Sequence, residues 1–238
     1  MSKKSMSFYN QYKKVNLHGT LNLAQQAAIS GVKRFIFISS IKVNGEKTNL
    51  DQPFTEQDKP KPTDSYGLSK WKAEKGLQKI SKQYGMEFVI IRPTLIYGPG
   101  VKGNFQKIIS LVKTGIPLPL GAIHNKRSFI AIDNLIDLII VCLKHPAASN
   151  QIFLAADGED LSTTQLIKEL ANVASKRLFL IPLPIFILKM FALILGKKII
   201  IDRLIQSLQV DISKSQNLLN WRPKKSLSEG LRLCFQKN

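Results

Sequence analysis

The sequence predicts an α/β fold, a doubly wound parallel sheet with a smaller C-terminal α/β part, on three observations. Short apolar runs rich in aromatic and β-branched residues alternate with stretches of helical periodicity, the pattern of strands joined by crossover helices. Ser39 and Ser40 follow the first of these runs, Phe35-Ile36-Phe37-Ile38, at the carboxyl end where open α/β sheets bind ligands. The chain's 238 residues, 44% of them hydrophobic, are enough to bury a core as one large or two small domains.

Taken in order, a helix is expected near 16–29, leading to a strand at 34–39 that is introduced by Gly31 and two cations. A loop rich in Pro and Asp at 48–64 precedes a helix at 66–84, and a strand at 88–92 follows. Then come a helix near 104–114, a Pro/Gly loop at 115–121, a short strand at 128–132 and an apolar helix at 134–144 capped near Asp133. After the run Ile152-Phe153-Leu154-Ala155, Ser162 and Thr163 open another helix toward Ser175.

The chemistry concentrates in Ser65-Tyr66-Gly67-Leu68-Ser69-Lys70, where the long helix begins. Four-residue spacing puts the Tyr66 phenol and the Lys70 ammonium on one helical face, one turn apart. A fixed cation favours the phenolate, so a tyrosine of ordinary pKa about 10 is drawn toward neutral and serves as acid or base for an alcohol or ketone. The competing reading is a surface pair of small energetic consequence. A literal G-x-G-x-x-G at Gly98, Gly100 and Gly103 is a decoy: the next acid, Asp133, is thirty positions beyond Gly103 rather than about twenty, and Pro99 removes an N–H that a phosphate loop would use.

Other features exclude function classes. A net charge of +19 suits nucleotide diphosphates, nucleic acid or an anionic membrane, but the lysines run along the whole chain, so solvated basic faces and no nucleic-acid partner are expected. Cys142 and Cys234 lie in helix-like apolar settings and read as reduced structural thiols of a cytoplasmic protein; His18, His124 and His145 have no ligand spacing, so no metal is expected. The apolar stretch 178–201 is interrupted by Pro182, Pro184, Lys189 and Gly196, short of the roughly 20 clean residues a membrane span requires. It reads as an amphipathic cap over a cleft, with peripheral membrane contact as the alternative. Residues 1–14 have no apolar core of a signal peptide.

Three segments, Phe37-Ile38-Ser39-Ser40-Ile41-Lys42-Val43, the Tyr66 segment, and Ile91-Arg92-Pro93-Thr94-Leu95-Ile96-Tyr97-Gly98-Pro99-Gly100, resemble in order and spacing the extended short-chain dehydrogenase/reductases, and within them the NAD-dependent epimerase/dehydratase family. The resemblance runs from Asn16 to Leu231. It implies a Rossmann-like sheet, with residues 1–98 and a return at 128–148 in the dinucleotide-binding domain, and 99–127 and 149–238 binding substrate. It implies Tyr66 as acid/base, Lys70 lowering its pKa and holding the nicotinamide ribose, and Ser40 hydrogen-bonding the reacting sugar oxygen. Ser39 and Pro93 are implied at the cofactor, Asn16 beneath the site, and Asn104 and Arg127 at the substrate, Arg127 on its diphosphate. Asn44 departs from a tyrosine common in the family.

Residues 1–14 contain no glycine and no acid, so the Gly-rich turn that cradles the pyrophosphate, with the first strands of the cofactor domain, is expected to be missing. The ending Asp211-Ile212-Ser213-Lys214 through Leu219-Asn220-Trp221-Arg222-Pro223 resembles the family's closing segment, a packing element. The resemblance implies a cytoplasmic homodimer, NAD or NADP as cofactor, and a UDP-sugar substrate epimerised at C4. A 4-keto reductase, dehydrogenase or dehydratase uses the same groups; a truncated pseudoenzyme or membrane-associated binding protein is the alternative of another class.

Overall fold

The structure, a computed structural model, describes residues 10–235. In chain order its elements are α1 (Thr20–Ile29), β1 (Arg34–Ile38), α2 (Ser65–Tyr84), β2 (Glu87–Pro93), β3 (Leu95–Tyr97), α3 (Asn104–Lys113), β4 (Arg127–Ala131) and α4 (Ile132–Lys144). They continue with β5 (Gln151–Ala155), β6 (Asp160–Leu161), α5 (Thr163–Val173), α6 (Ile185–Ile194), α7 (Lys198–Ile205), α8 (Ser213–Leu219) and α9 (Leu227–Leu233).

β1, β2 and β5 form a parallel sheet in the order β1-β2-β5, with Ile38 opposite Ile91 and Arg92 opposite Leu154. Val89, Ile90 and Ile91 of the central strand are fully buried, as a strand covered on both faces must be. Alternation sends Ile90 to one face with Phe37, against Ala24 of α1 and Ala73 and Leu77 of α2. Val89 and Ile91 face the other side with Phe153, against Leu135, Leu138 and Cys142 of α4 and the indole of Trp221. Helices on both faces of a parallel sheet make the doubly wound architecture that the sequence predicts. β5 lies within the stretch expected to bind substrate, yet it hydrogen-bonds into this first sheet. Both cysteines are free, and burial pushes the Cys142 thiol up to about 12.

A second sheet pairs β3 parallel and β6 antiparallel to β4. Its core joins Tyr97, Phe105, Ile109, Phe129, Ile167 and Leu231, contributed by β3, α3, β4, α5 and α9. The chain after α7 returns to it: Ser128 N–H donates to Leu208 O at 2.9 Å, and Phe54 N–H donates to Gln209 O at 2.8 Å.

Three elements differ from expectation. The first helix begins by Asn10 and passes through a π-helical turn, Lys13–Gly19, before α1. β3 has no counterpart among the expected elements; Pro93 ends β2, Thr94 N–H bonds Ala155 O at 3.0 Å, and the chain crosses to the second sheet. α4 starts at Ile132 with Ala131 at its N-cap, so Asp133 is not the cap but lies in the first turn, paired to Lys225 at 2.7 Å, where a carboxylate complements the helix dipole. The Ser162 cap of α5 is present as a full capping box with Gln165. The Gly98 turn closes tightly: a Cβ there would lie 2.5 Å from Ile132 Cγ2, which accounts for a glycine without any phosphate.

Asp64 caps α2, its Oδ1 accepting from Gly67 N–H at 2.7 Å and its Oδ2 from the Lys42 ammonium. Burial pushes its carboxyl up, but the Gly67 N–H and Lys42 outweigh this and hold it below its ordinary 3.8. A depressed carboxyl contributes stability above its unfolded pKa and loses it as pH falls through the folded value. Asp64→Ala is therefore expected to lower unfolding free energy by about 1 kcal/mol at neutral pH. In urea titrations the gap between variant and parent should close as the pH falls below 3.8; a gap independent of pH would contradict the charge's role.

Candidate active site

The site is built where β1 stops. Ser39 N–H extends the ladder to Ile91 O at 2.7 Å, while its hydroxyl turns inward and donates to Glu74 Oε1 at 2.5 Å. Ser39, expected at the cofactor, is 3% exposed, and its hydroxyl is engaged by Glu74. Ser40 is extended and caps a short 3-10 turn, Ile41–Val43, its half-buried hydroxyl accepting from Lys42 N–H at 3.3 Å and lying near enough to the Tyr66 phenol to favour its ionisation. Tyr66 stands in the first turn of α2, and the Tyr12 ring packs edge-on against it at 5.6 Å and 71°. Gly67 lets this helix start approach the turn, since a Cβ would sit 2.6 Å from Lys42 O.

Lys70 follows one turn along, its Nζ donating to Ile38 O at 2.9 Å and lying 4.7 Å from the Phe37 ring centroid and 5.9 Å from that of Tyr66. An ammonium has three N–H groups, so two remain for a ligand. Burial pulls Lys70 below its ordinary 10.5, partly offset by Glu74. Burial raises the Tyr66 phenol above its ordinary 10.0, and the opposing influences are the Lys42 charge and the Ser40 hydroxyl, while Asp64 and Tyr12 add to the rise.

Lys42 is thus a site residue that the motif reading missed. Burial pulls its ammonium down, but Asp64 and Glu46, the latter at 3.0 Å, outweigh this and keep it above its ordinary 10.5. Its position two residues after Ser40 was the available signal. Also missed was the pair beneath the site. Arg92 Nη2 donates to Glu74 Oε2 at 2.6 Å, Nε to Oε1 at 3.0 Å and Nη1 to Asn44 Oδ1 at 2.9 Å, with Glu74, Arg92 and Asn44 all buried. Asn44 also donates to Thr55 O at 2.8 Å, which gives the residue that departs from the family's tyrosine a packing role. Asn16 Nδ2 donates to Ser69 Oγ at 3.1 Å, and that hydroxyl donates to Tyr66 O at 2.7 Å, tying the π-helical turn to the start of α2.

Pro93 ends β2 beside this cluster, buried and opposite Ala155. With Lys70 and Tyr66 it lies at the carboxyl edge of the parallel sheet, where open α/β folds bind ligands. Of the residues expected to carry no Gly-rich turn, 1–9 lie outside the described ones and from Asn10 the chain is helical. Arg127 opens β4 in the second sheet, donating from Nη1 to Arg203 O at 2.9 Å and Gln206 O at 3.1 Å; its contacts among the described residues do not reach Ser40, Tyr66 or Lys70. Burial and the neighbouring Arg203 lower its pKa. Asn104 heads α3, and its side chain lies outside the described residues.

Comparison with known proteins gives this geometry its context. The model of the NAD dependent epimerase/dehydratase family matches residues 2–156. A UDP-glucose 4-epimerase of Vibrio cholerae is 53% identical over 94% of this chain and 69% of its own length. An N-acetyl-alpha-D-glucosaminyl-diphospho-ditrans,octacis-undecaprenol 4-epimerase of Escherichia coli O157:H7 is 32% identical over 73% of this chain and 52% of its own. A UDP-glucuronic acid 4-epimerase from Bacillus cereus, solved in complex with NAD, superposes with TM-score 0.75 and 22% identity over 98% of this chain and 69% of that one.

Removing one partner of a buried ion pair costs about 3–5 kcal/mol, whereas replacing both by apolar groups costs far less. Arg92→Met is expected to lose an amount in that range by urea unfolding, and Glu74→Leu/Arg92→Met clearly less than the two single changes summed. A second measurement, the difference absorbance of tyrosinate between parent and Tyr66→Phe, should place the Tyr66 titration above pH 10 in the ligand-free protein. A titration near neutral would contradict the dominance of burial.

Proposed function

We propose, since the chain belongs to the NAD dependent epimerase/dehydratase family, that it is a nucleotide-sugar 4-epimerase acting on a UDP-hexose, the activity for which its Vibrio cholerae relative is named. The observation that carries the reading is the meeting of the Ser40 hydroxyl and the Tyr66 phenol at the carboxyl end of β1, with Lys70 one turn along α2. Bound NAD, or NADP, would supply the hydride acceptor and donor, held by Lys70, Tyr66 and the backbone at Pro93. Tyr66, entering as the phenolate, takes the proton from the sugar C4 oxygen and gives it back after the ring has presented its other face. Ser40 donates a hydrogen bond to that oxygen, and Lys42 and Lys70 supply the positive charge toward which the phenolate forms. Ser39 holds Ser40 in register through Glu74.

Asn104 and Arg127 are proposed for the nucleotide-sugar, Arg127 with guanidinium N–H groups on the diphosphate. The first sheet, β1, β2 and β5, with the helices that cover it is proposed as the cofactor part, and the second sheet with its helices as the substrate part; β3 and β4, which fall within the expected cofactor bounds 1–98 and 128–148, pair in the second sheet. A second reading concerns what carries the hexose. The exposed apolar surface of α6 and α7 favours a membrane-bound polyprenyl diphosphate over UDP, as in the name of the Escherichia coli relative. The same surface is open to peripheral membrane contact or to a homodimer.

Interconversion of UDP-glucose and UDP-galactose by the purified chain supplied with NAD⁺, followed by sugar analysis, tests the assignment. Tyr66→Phe should reduce turnover by about 10²-fold or more with an unchanged thermal melt. Undiminished turnover would remove Tyr66 as the acid/base. A single product obtained only with added reductant would favour a 4-keto reductase. Calorimetry that detects sugar nucleotide but no NAD⁺ would favour a non-catalytic binding protein.

A further inference from the structure

α6 is apolar nearly all round, yet it buries only Leu188 and Ala192, one turn apart, Leu188 in the second core. Phe186, Met190, Leu193 and Ile194 stand 60–75% exposed on its other sides, and Phe179 before it and Ile199 on α7 extend the patch. A helix hydrophobic on every side belongs inside a protein or a lipid phase, and monomers rarely leave a continuous patch of this kind in water. No helix among the described residues is long and apolar enough to cross a membrane. α6 itself has 10 residues, about 15 Å of helix, so it can only lie along an interface.

Charge selects the partner. Between Lys176 and Arg203 the chain carries Lys176, Arg177, Lys189, Lys197, Lys198 and Arg203, all exposed, against one half-buried acid, Asp202. Lys176 and Arg177, with Lys168, line an open groove of about 580 Å³ whose wall includes Phe179 at the edge of the apolar patch. Two copies joined through this face would bring like cations together. An anionic bilayer presents phosphates to the cations and acyl chains to the apolar side chains, and each such cation raises partitioning roughly fivefold.

We propose that α6 and the head of α7 form an in-plane anchor for an anionic phospholipid bilayer, with Phe186, Met190 and Ile194 entering the acyl boundary and the flanking lysines and arginines at the lipid phosphates. This deepens the membrane contact named above and does not rest on the chemistry assigned to Tyr66.

Vesicle co-flotation of the full chain tests it, comparing equal parts phosphatidylglycerol and phosphatidylcholine with phosphatidylcholine alone, at low and high salt. Binding is expected to the anionic vesicles, to weaken on the neutral ones and to weaken with salt. Phe186→Asp/Ile194→Asp should reduce it about tenfold or more, and so should Lys197→Glu/Lys198→Glu, whose positions have no core contact to lose. Thermal melts of both variants should match the parent. Absence of flotation, flotation indifferent to both variants, or a light-scattering dimer that Phe186→Asp/Ile194→Asp makes monomeric would each overturn the proposal, the last by assigning the face to a second copy. Because the readout is binding to lipid, its failure and that of the Tyr66 assay are separate results.

Discussion

The Glu74–Arg92 pair is the constraint on which the site depends. Both side chains are buried, and two charges out of water are tolerable only when every lone pair and proton near them is used. Meeting that condition draws in Ser39 from the end of β1 and Asn44 from the turn after it, so one guanidinium and one carboxylate fix the relative positions of two strands, a helix and a loop. Tyr66, Lys70 and Glu74 lie at four-residue steps on one face of α2, a stripe that runs from the reacting groups through the ammonium down to the buried anchor. Turning or sliding the helix would break the anchor first. Such a pair is weak as a source of stability and better understood as what specifies one arrangement.

Above that anchor the electrostatics are less simple than a tyrosine beside a lysine. Lys70 is directed to the last carbonyl of β1, and the phenol, half out of water, holds its proton more firmly than in solution. The cation that opposes this is Lys42, and the same Asp64 that caps α2 also holds Lys42. Helix start and local potential are therefore one structure: the carboxylate that begins α2 also fixes the charge facing its first-turn tyrosine.

Much of this could be read from residue order. Alternating apolar runs gave the parallel sheet, the i, i+4 spacing put Tyr66 and Lys70 on one face, and Ser162 marked a true helix start. What escaped was set by tertiary contact. Arg92 and Asn44 are 48 residues apart and Arg92 and Glu74 are 18 apart, and no local pattern says that they meet. Lys42 looked like one lysine among many until Asp64 was folded against it. β3 was concealed because Pro93 separates it from the strand before, and the π-helical turn has no compositional mark. Arg127 was chosen for its chemistry, but its bonds to the Arg203 and Gln206 carbonyls depend on a tail that returns from 76 and 79 residues away.

That returning tail also shapes how the molecule must assemble. Ser39 through Pro93, which hold Ser40, Tyr66, Lys70, Glu74 and Arg92, are contiguous, and their mutual contacts close short loops. The edge of the second sheet is joined by Leu208, which meets Lys126 and Ser128, and Gln209 beyond it meets Phe54, closures that span about a third to two thirds of the chain. Loop-closure entropy makes such long-range pairings slow. Ser40, Tyr66 and Lys70 thus sit in a segment whose own contacts close short loops, while the flank of the second sheet rests on closures of about 80 residues and longer.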